Sequence, residues 1–434
     1  MSPLLRWTGS LSALSPEERR ALDARGNEEG VAQAFQDAVR VLMDQVRRGG
    51  DAALRAQVQH FDGVALESLE VTRFAVRAAL DRQPIYVRKA LEHAAKNLIR
   101  VHEAFRPRPS RVEVQPGVIV ERRPDALDRV GVYAPGGRAA YPSSVLMGVI
   151  PARVAGVREV ILCSPAGPSG LPNDGALAAA AISEVDRVFA VGGAGAIAAM
   201  AHGTESIPRV DRIVGPGNAW VAEAKTQVAG RVPIDAPAGP SELLVLLDDT
   251  ADLDAVAGEM LAQAEHDPMP AVLAVALDAQ TARRLGDRIA VRVAREPRAE
   301  IIATALSSRG AVLGAASLDE ALDFARAWAP EHLLLAIADA ESVASRVRCA
   351  GTVLVGAASS GAFGDYLTGA NHVLPTGGLA RAWSGLSTLD FVRWTTVQTV
   401  TRDGAAQLAR DTEVLATAER LPAHAAAARA WSPR

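Results

Sequence analysis

From residue 129 onward the chain repeats one pattern: a short apolar run, a tight turn, then a helical stretch. Expected strands fall at 129–133, 159–163, 187–191, 211–214, 243–247, 271–277, 311–314, 333–337 and 352–355. Expected helices at 143–156, 174–184, 251–266, 280–295 and 319–328 separate them. Runs that alternate with helices belong to parallel sheets with both faces covered. The fold class is therefore α/β, with two wound Rossmann-like α/β domains and small helical segments at the N- and C-terminal ends. A length of 434 residues fits about two to four domains.

The flanks read differently. Ser15-Pro16-Glu17-Glu18 reads as a helix start, with an N-cap, Pro in the first turn and acid at the positive dipole end. An amphipathic helix at 31–48 stops at Gly49-Gly50, Asp51 caps a short helix, and 85–105 is a further helix. Alternation on either side of Pro116-Gly117 signals a hairpin over 112–120. Beyond about residue 380 come a β-like run at 391–400 and helical stretches at 405–419 and 423–431, a small terminal lobe or docking arm. A net charge of −4 offers no field for nucleic acid or anionic lipid. No apolar run is long enough to span a membrane. Two distant cysteines, Cys163 and Cys349, fit a reducing, cytoplasmic setting.

Several motifs could carry chemistry, each with a plain structural alternative. Gln263 and His266 lie three apart near the end of a helix, so an amide oxygen and an imidazole could face one point; a His favouring the helix dipole is the alternative. Glu331-His332 places a carboxylate beside an imidazole where a helix gives way to a strand, either a general-base pair or a cap with an incidental His. Asp365 and His372 lie on a Gly-rich loop after a strand, where α/β proteins often bind ligands. Gly193, Gly195 and Ala198 fit G-x-G-x-x-A after a strand, and Asp211 follows where a ribose-binding acid is sought; tight helix–sheet packing explains the glycines equally well. Cys163, near a strand end, is a formal nucleophile for aldehyde oxidation, with no basic group close in sequence to activate it.

Taken together, these segments resemble the histidinol dehydrogenase family over nearly the whole chain. Arg129–Gly137, Val191–Ala194, Gly203–Pro208, Ile213–Asn218, Ala238–Glu242, Gln263–His266, Ala329–His332 and Asn371–Gly378 carry the resemblance. It implies an NAD- and zinc-dependent enzyme that oxidises L-histidinol to L-histidine through a bound aldehyde. It implies a homodimer, with zinc ligands at Gln263, His266 and Asp365 and a fourth, His424, from the neighbouring subunit. His332 would be the general base and Glu331 would activate water. Ser241, Gln263, His266, His332, Asp365, His372, Glu419 and His424 match the substrate pocket. Tyr133, Gly195 and Asn218 match NAD contacts, and Gly195 stands where many members carry Gln. The implied organisation is an N-terminal helical segment at 1–28, a zinc and catalytic domain from 29–128 plus 241–380, an NAD domain at 129–240 and a dimerisation arm at 381–434. A paralogous zinc- and NAD-dependent dehydrogenase of another small alcohol is the alternative.

Overall fold

The structure, a computed structural model, describes residues 4–25, 33–136, 141–237 and 239–432. In the first sheet, Arg129–Tyr133 is flanked by Glu159–Ser164 and then Arg187–Ala190 on one side, and by Arg212–Val214 on the other. All four are parallel; the short strand Glu70–Val71 adds an antiparallel edge. Successive side chains point to opposite faces, so Val130, Val132 and Leu162 pack with helices Pro142–Ala155 and Asp174–Ile182, while Tyr133, Ile161 and Cys163 pack with Gly193–His202 and Ala219–Val228. Burial of both faces is why these strands read as unbroken apolar runs.

The second sheet has six parallel strands, in the order Trp7–Ser10, Gly310–Gly314, Ala271–Ala276, Glu242–Leu247, His332–Ala336 and Thr352–Val355. Both sheets wind alike: three successive strands step outward, and the fourth returns to the far side of the first. A switch point follows between Arg129–Tyr133 and Arg212–Val214, and another between Glu242–Leu247 and His332–Ala336. The two wound halves are thus as expected.

Other expectations need revision. The N-terminal segment is not only helical, because Trp7–Ser10 pairs with Gly310–Gly314 as an edge strand. Its helix Pro16–Ala24 starts as read, with Ser15 and Glu18 capping each other's backbone N–H. Residues 33–104 pack mainly on the first half, and touch 241–380 only locally, where Asn97 donates to the Leu367 carbonyl at 2.7 Å. Helices Gln33–Phe61, Arg73–Arg82 and Ile85–Ala104 lie against Gly193–His202, Asp174–Ile182 and Pro142–Ala155 of the first half. The stop expected at Gly49-Gly50 is a kink instead: Gly50 takes φ 52° and a second helical segment starts at once. A helix at Ala299–Arg309 joins the second half.

The hairpin and the tail form one structure. Ser110–Gln115 and Val118–Ala126 pair antiparallel, and Val392–Val400 adds a third strand along Val118–Ala126. Two helices, Arg402–Ala418 and Pro422–Arg429, pack on each other beyond it.

Candidate active site

The catalytic pair forms where two strands of the second sheet start together. Helix Leu318–Trp328 ends at Ala329 in the left-handed region, Pro330 prevents its continuation, and Glu331 and His332 enter the strand. Both are buried, 6% and 7% exposed, so each needs partners. Glu242 on the adjacent strand supplies them. Its N–H donates to Glu331 Oε2 at 2.7 Å, and its carbonyl lies 3.1 Å from His332 Nδ1. A carbonyl can only accept, so Nδ1 carries the proton and Nε2 is left for chemistry. Glu331 Oε2 also lies 3.5 Å from Nδ1, and Asp365 Oδ1 is 3.6 Å from Nε2. Burial alone would lower the His332 pKa, but the Glu331 and Asp365 carboxylates override it and push it up to about 10. A divalent cation held by Asp365 would offset that carboxylate's charge and favour the neutral ring, with the Nε2 lone pair free.

Asp365 is the centre of the polar cluster. It sits in a short helix, Gly361–Tyr366, rather than the expected loop. Glu259 Oε2 accepts the Gly361 N–H at 2.9 Å, which ties this helix to Leu253–Ala264, the helix that carries Gln263. Burial would raise the Asp365 pKa, but the hydrogen bond and charge of His332 hold it below the usual carboxylate value. His372 donates from Nδ1 to the Asp365 carbonyl at 2.9 Å, and its Nε2 is 3.3 Å from Ser144 Oγ. Burial lowers the His372 pKa, so this imidazole is neutral and accepts from the Ser144 hydroxyl. Asn371 Nδ2 donates to the Met147 carbonyl at 2.8 Å. These contacts join the second half to the first two turns of Pro142–Ala155 in the first half.

Gln263 is buried, and its amide nitrogen has no hydrogen-bond partner among the described residues. His266 departs from the expected geometry: the helix ends at Ala264, so His266 lies in the following turn and is exposed. An orphaned buried amide, an imidazole and a carboxylate form a donor set suited to a borderline divalent cation once the amide turns its oxygen inward. Among the described residues of one chain, no three His, Cys, Asp or Glu side chains stand close enough to hold a metal. Glu419 and His424 are exposed on the C-terminal helices. Among the described residues no hydrogen bond joins either side chain to the Asp365 cluster. Ser241 is half-buried immediately before Glu242.

The three expected cofactor positions lie in the first half. Tyr133, 3% exposed, ends the central strand and accepts the Gly193 N–H at 3.2 Å; burial pushes its pKa up to about 12. Asn218 caps Ala219–Val228, accepting the Trp220 and Val221 N–H groups at 3.1 and 3.2 Å. The turn before it is held tightly. Gly215 adopts φ 115°, and a Cβ there would lie 2.0 Å from the Tyr133 carbonyl, so only glycine fits. Buried Lys225 and Asp235 pair and clamp that glycine, Lys225 donating to its carbonyl at 2.9 Å and Asp235 accepting its N–H at 2.8 Å. Gly195 is buried and faces Gln33–Phe61, where a Cβ would meet Gln57 Oε1 at 2.3 Å. Asp211 cannot be the ribose acid sought after that turn. It accepts the Arg129 N–H at 2.9 Å, at the N-terminal edge of the sheet and opposite the Gly193 turn.

Cys163 is fully buried in strand Glu159–Ser164, and burial pushes its thiol up to about 12. Such a thiol supplies no thiolate. Cys163→Ala is expected to keep aldehyde oxidation within about twofold per folded enzyme, since it changes packing only. Loss of that step with the fold retained, read by NADH yield and circular dichroism, would restore the cysteine mechanism.

Sequence reasoning missed Arg25, Ser144, Glu242 and Glu259. Each is a common residue type, Glu242 included although it closes the Ala238–Glu242 segment, and its partners are distant in the chain.

Comparison with known proteins agrees along the full length. The histidinol dehydrogenase family model matches residues 25–431. The histidinol dehydrogenase of Natronomonas pharaonis is 48% identical over 417 residues, covering 96% of this chain and 97% of that one. That of Pseudomonas aeruginosa is 44% identical over 422 residues, covering 96% of both. The crystal structure of histidinol dehydrogenase from Elizabethkingia anophelis superposes with a TM-score of 0.93 at 32% identity, covering 99% of this chain and 98% of that one. The chain belongs to the histidinol dehydrogenase family.

Proposed function

We propose that this chain oxidises L-histidinol to L-histidine in two successive NAD-dependent steps at one site. Gln263, His266 and Asp365, with His424 from a second copy of the chain, would hold the zinc. When bound, the zinc fixes the substrate's amine and imidazole and offsets the Asp365 charge beside His332, and NAD accepts hydride.

The chain's own groups account for the proton movements. The observation that carries the reading is the His332 imidazole, whose Nδ1–H is committed to the Glu242 carbonyl at 3.1 Å. That bond fixes the ring with Nε2 toward Asp365, where it can take the alcohol proton. Glu331 serves the second step, its carboxylate taking a proton from the water that adds to the aldehyde. His332, having released the first proton to solvent between the two steps, then takes the proton of the hydrate. Burial of both side chains keeps bulk water from the aldehyde between steps. Ser241, His372 and Glu419 complete the substrate pocket, and Tyr133, Gly195 and Asn218 the cofactor site. No helix among the described residues is long and apolar enough to cross a membrane. The proposed setting is the cytoplasm, which suits the free thiols of Cys163 and Cys349.

Counting NADH formed per L-histidinol consumed tests the reading. The expected ratio is two, lost on chelation and restored by zinc. A ratio of one means the reaction stops at the aldehyde, which removes the Glu331 role. No turnover by folded, zinc-loaded protein would point to another small alcohol as substrate.

A further inference from the structure

We propose that Arg25 and Glu242 are positioning residues for this reaction: their buried pair holds the Glu331–His332 corner in place, which makes the N-terminal helix part of the catalytic apparatus. The inference rests on the reading of His332 as the base.

Glu242 contacts both members of the catalytic pair through three separate groups. Its N–H donates to Glu331 Oε2 at 2.7 Å, its carbonyl receives the His332 Nδ1–H at 3.1 Å, and its own Oε2 receives the Glu331 N–H at 3.3 Å. Its other carboxylate oxygen accepts the Gly377 N–H at 2.7 Å. The side chain therefore fixes the backbone at Glu331 and at Gly377, while the main-chain carbonyl of the same residue fixes the ring tautomer of the base.

This arrangement places two carboxylates, Glu242 and Glu331, in one buried corner, 2% and 6% exposed. Arg25 supplies the opposing charge. It follows helix Pro16–Ala24 in the left-handed region, φ 49°, which turns its side chain back under the second sheet. The guanidinium is 4.0 Å above the Trp328 ring, and Nη1 lies 2.7 Å from Glu242 Oε2. Trp328 is itself tethered, its Nε1–H donating to the Leu22 carbonyl at 3.3 Å. Burial raises the Glu242 pKa, and Arg25 opposes that rise. Without Arg25 the carboxylate must gain a proton or move toward water, and the Glu331 and Gly377 N–H groups lose a strong acceptor. A buried ion pair is weak support for stability alone. Here its bonds end on the Glu331 backbone, and the main chain of Glu242 itself holds the Glu331 carboxylate and the His332 ring.

The test uses the full-length, zinc-loaded enzyme with L-histidinol and NAD. Arg25→Gln is expected to lower kcat by about 10- to 100-fold, as small misplacements of catalytic groups do. KM should shift by less than about threefold and bound zinc per chain should not change. Arg25→Lys keeps the charge but not the planar stack, and recovers part of kcat. In a double-mutant cycle, Arg25→Gln should cost less than about twofold when His332→Ala is already present. An equal loss in both backgrounds, or reduced thermal stability with kcat per folded enzyme unchanged, overturns the positioning role. If Arg25→Gln does not fold, Arg25→Gln/Glu242→Gln, which leaves no lone buried charge, enters the same cycle under the same criteria. Parental turnover in His332→Ala alone would remove the base assignment and the proposal with it. A severe His332→Ala defect with additive Arg25 effects removes the proposal only.

Discussion

His332→Ala is expected to lower turnover of L-histidinol by about 10²- to 10⁴-fold, the range for losing a general base, and to leave bound zinc at the parent level. The two effects separate because His332 stands beside Asp365 without belonging to the proposed ligand set. Nε2 is 3.6 Å from Asp365 Oδ1, and Nδ1 is occupied by the Glu242 carbonyl. Truncation removes the proposed base for the alcohol proton and leaves that buried carbonyl without its donor. The structural part of the cost is about 1–3 kcal/mol, too small to unfold an average domain. Steady-state NADH formation together with metal analysis of the folded variant decides the matter. An unchanged rate excludes His332 as the base, and loss of zinc along with the rate would move it into the metal site.

The second large effect concerns sharing of the site. Asp365→Ala and His424→Ala are each expected to lose zinc and nearly all activity, and to complement each other when mixed. A mixed dimer carries one site with both residues intact and one with neither. If subunits exchange freely, half of the dimers are mixed, so recovery approaches roughly a quarter of the parent activity for a symmetric two-site dimer. The exposed position of His424, apart from the Asp365 cluster within one chain, is what a ligand contributed to another subunit requires. Tagged subunits that co-purify show that exchange has occurred. Exchange without recovery of zinc or activity rejects the shared site.

The sequence was legible where burial is local and periodic. Arg129–Tyr133 and Thr352–Val355 have the bounds read from their apolar runs, and the Ser15 capping box is present as read. Trp7–Ser10 was hidden because four residues with no alternation carry no periodic signal. Gly361–Tyr366 read as a loop because two of its six residues are glycine, yet the Ser360 cap and Glu259 hold it helical. That helices 33–104 lie mainly against the first half was not legible, because an amphipathic face records that something covers it, not what covers it.

The site divided in the same way. Gln263-His266, Glu331-His332 and Asp365 could be picked out as residues able to bind a metal or move a proton. Spacing could not say that Asp365 would face His332, that Ser144 would reach His372, or that Arg25 would lie under Glu242. By itself, then, the sequence determined the α/β class, the paired winding and the residue types available for chemistry, since these depend on short-range periodicity and composition. Only the tertiary structure decided which nitrogen of His332 is free, which carboxylates surround it and which half covers each helix. Those are set by strand order and register between segments far apart in the chain, which local side-chain periodicity does not encode.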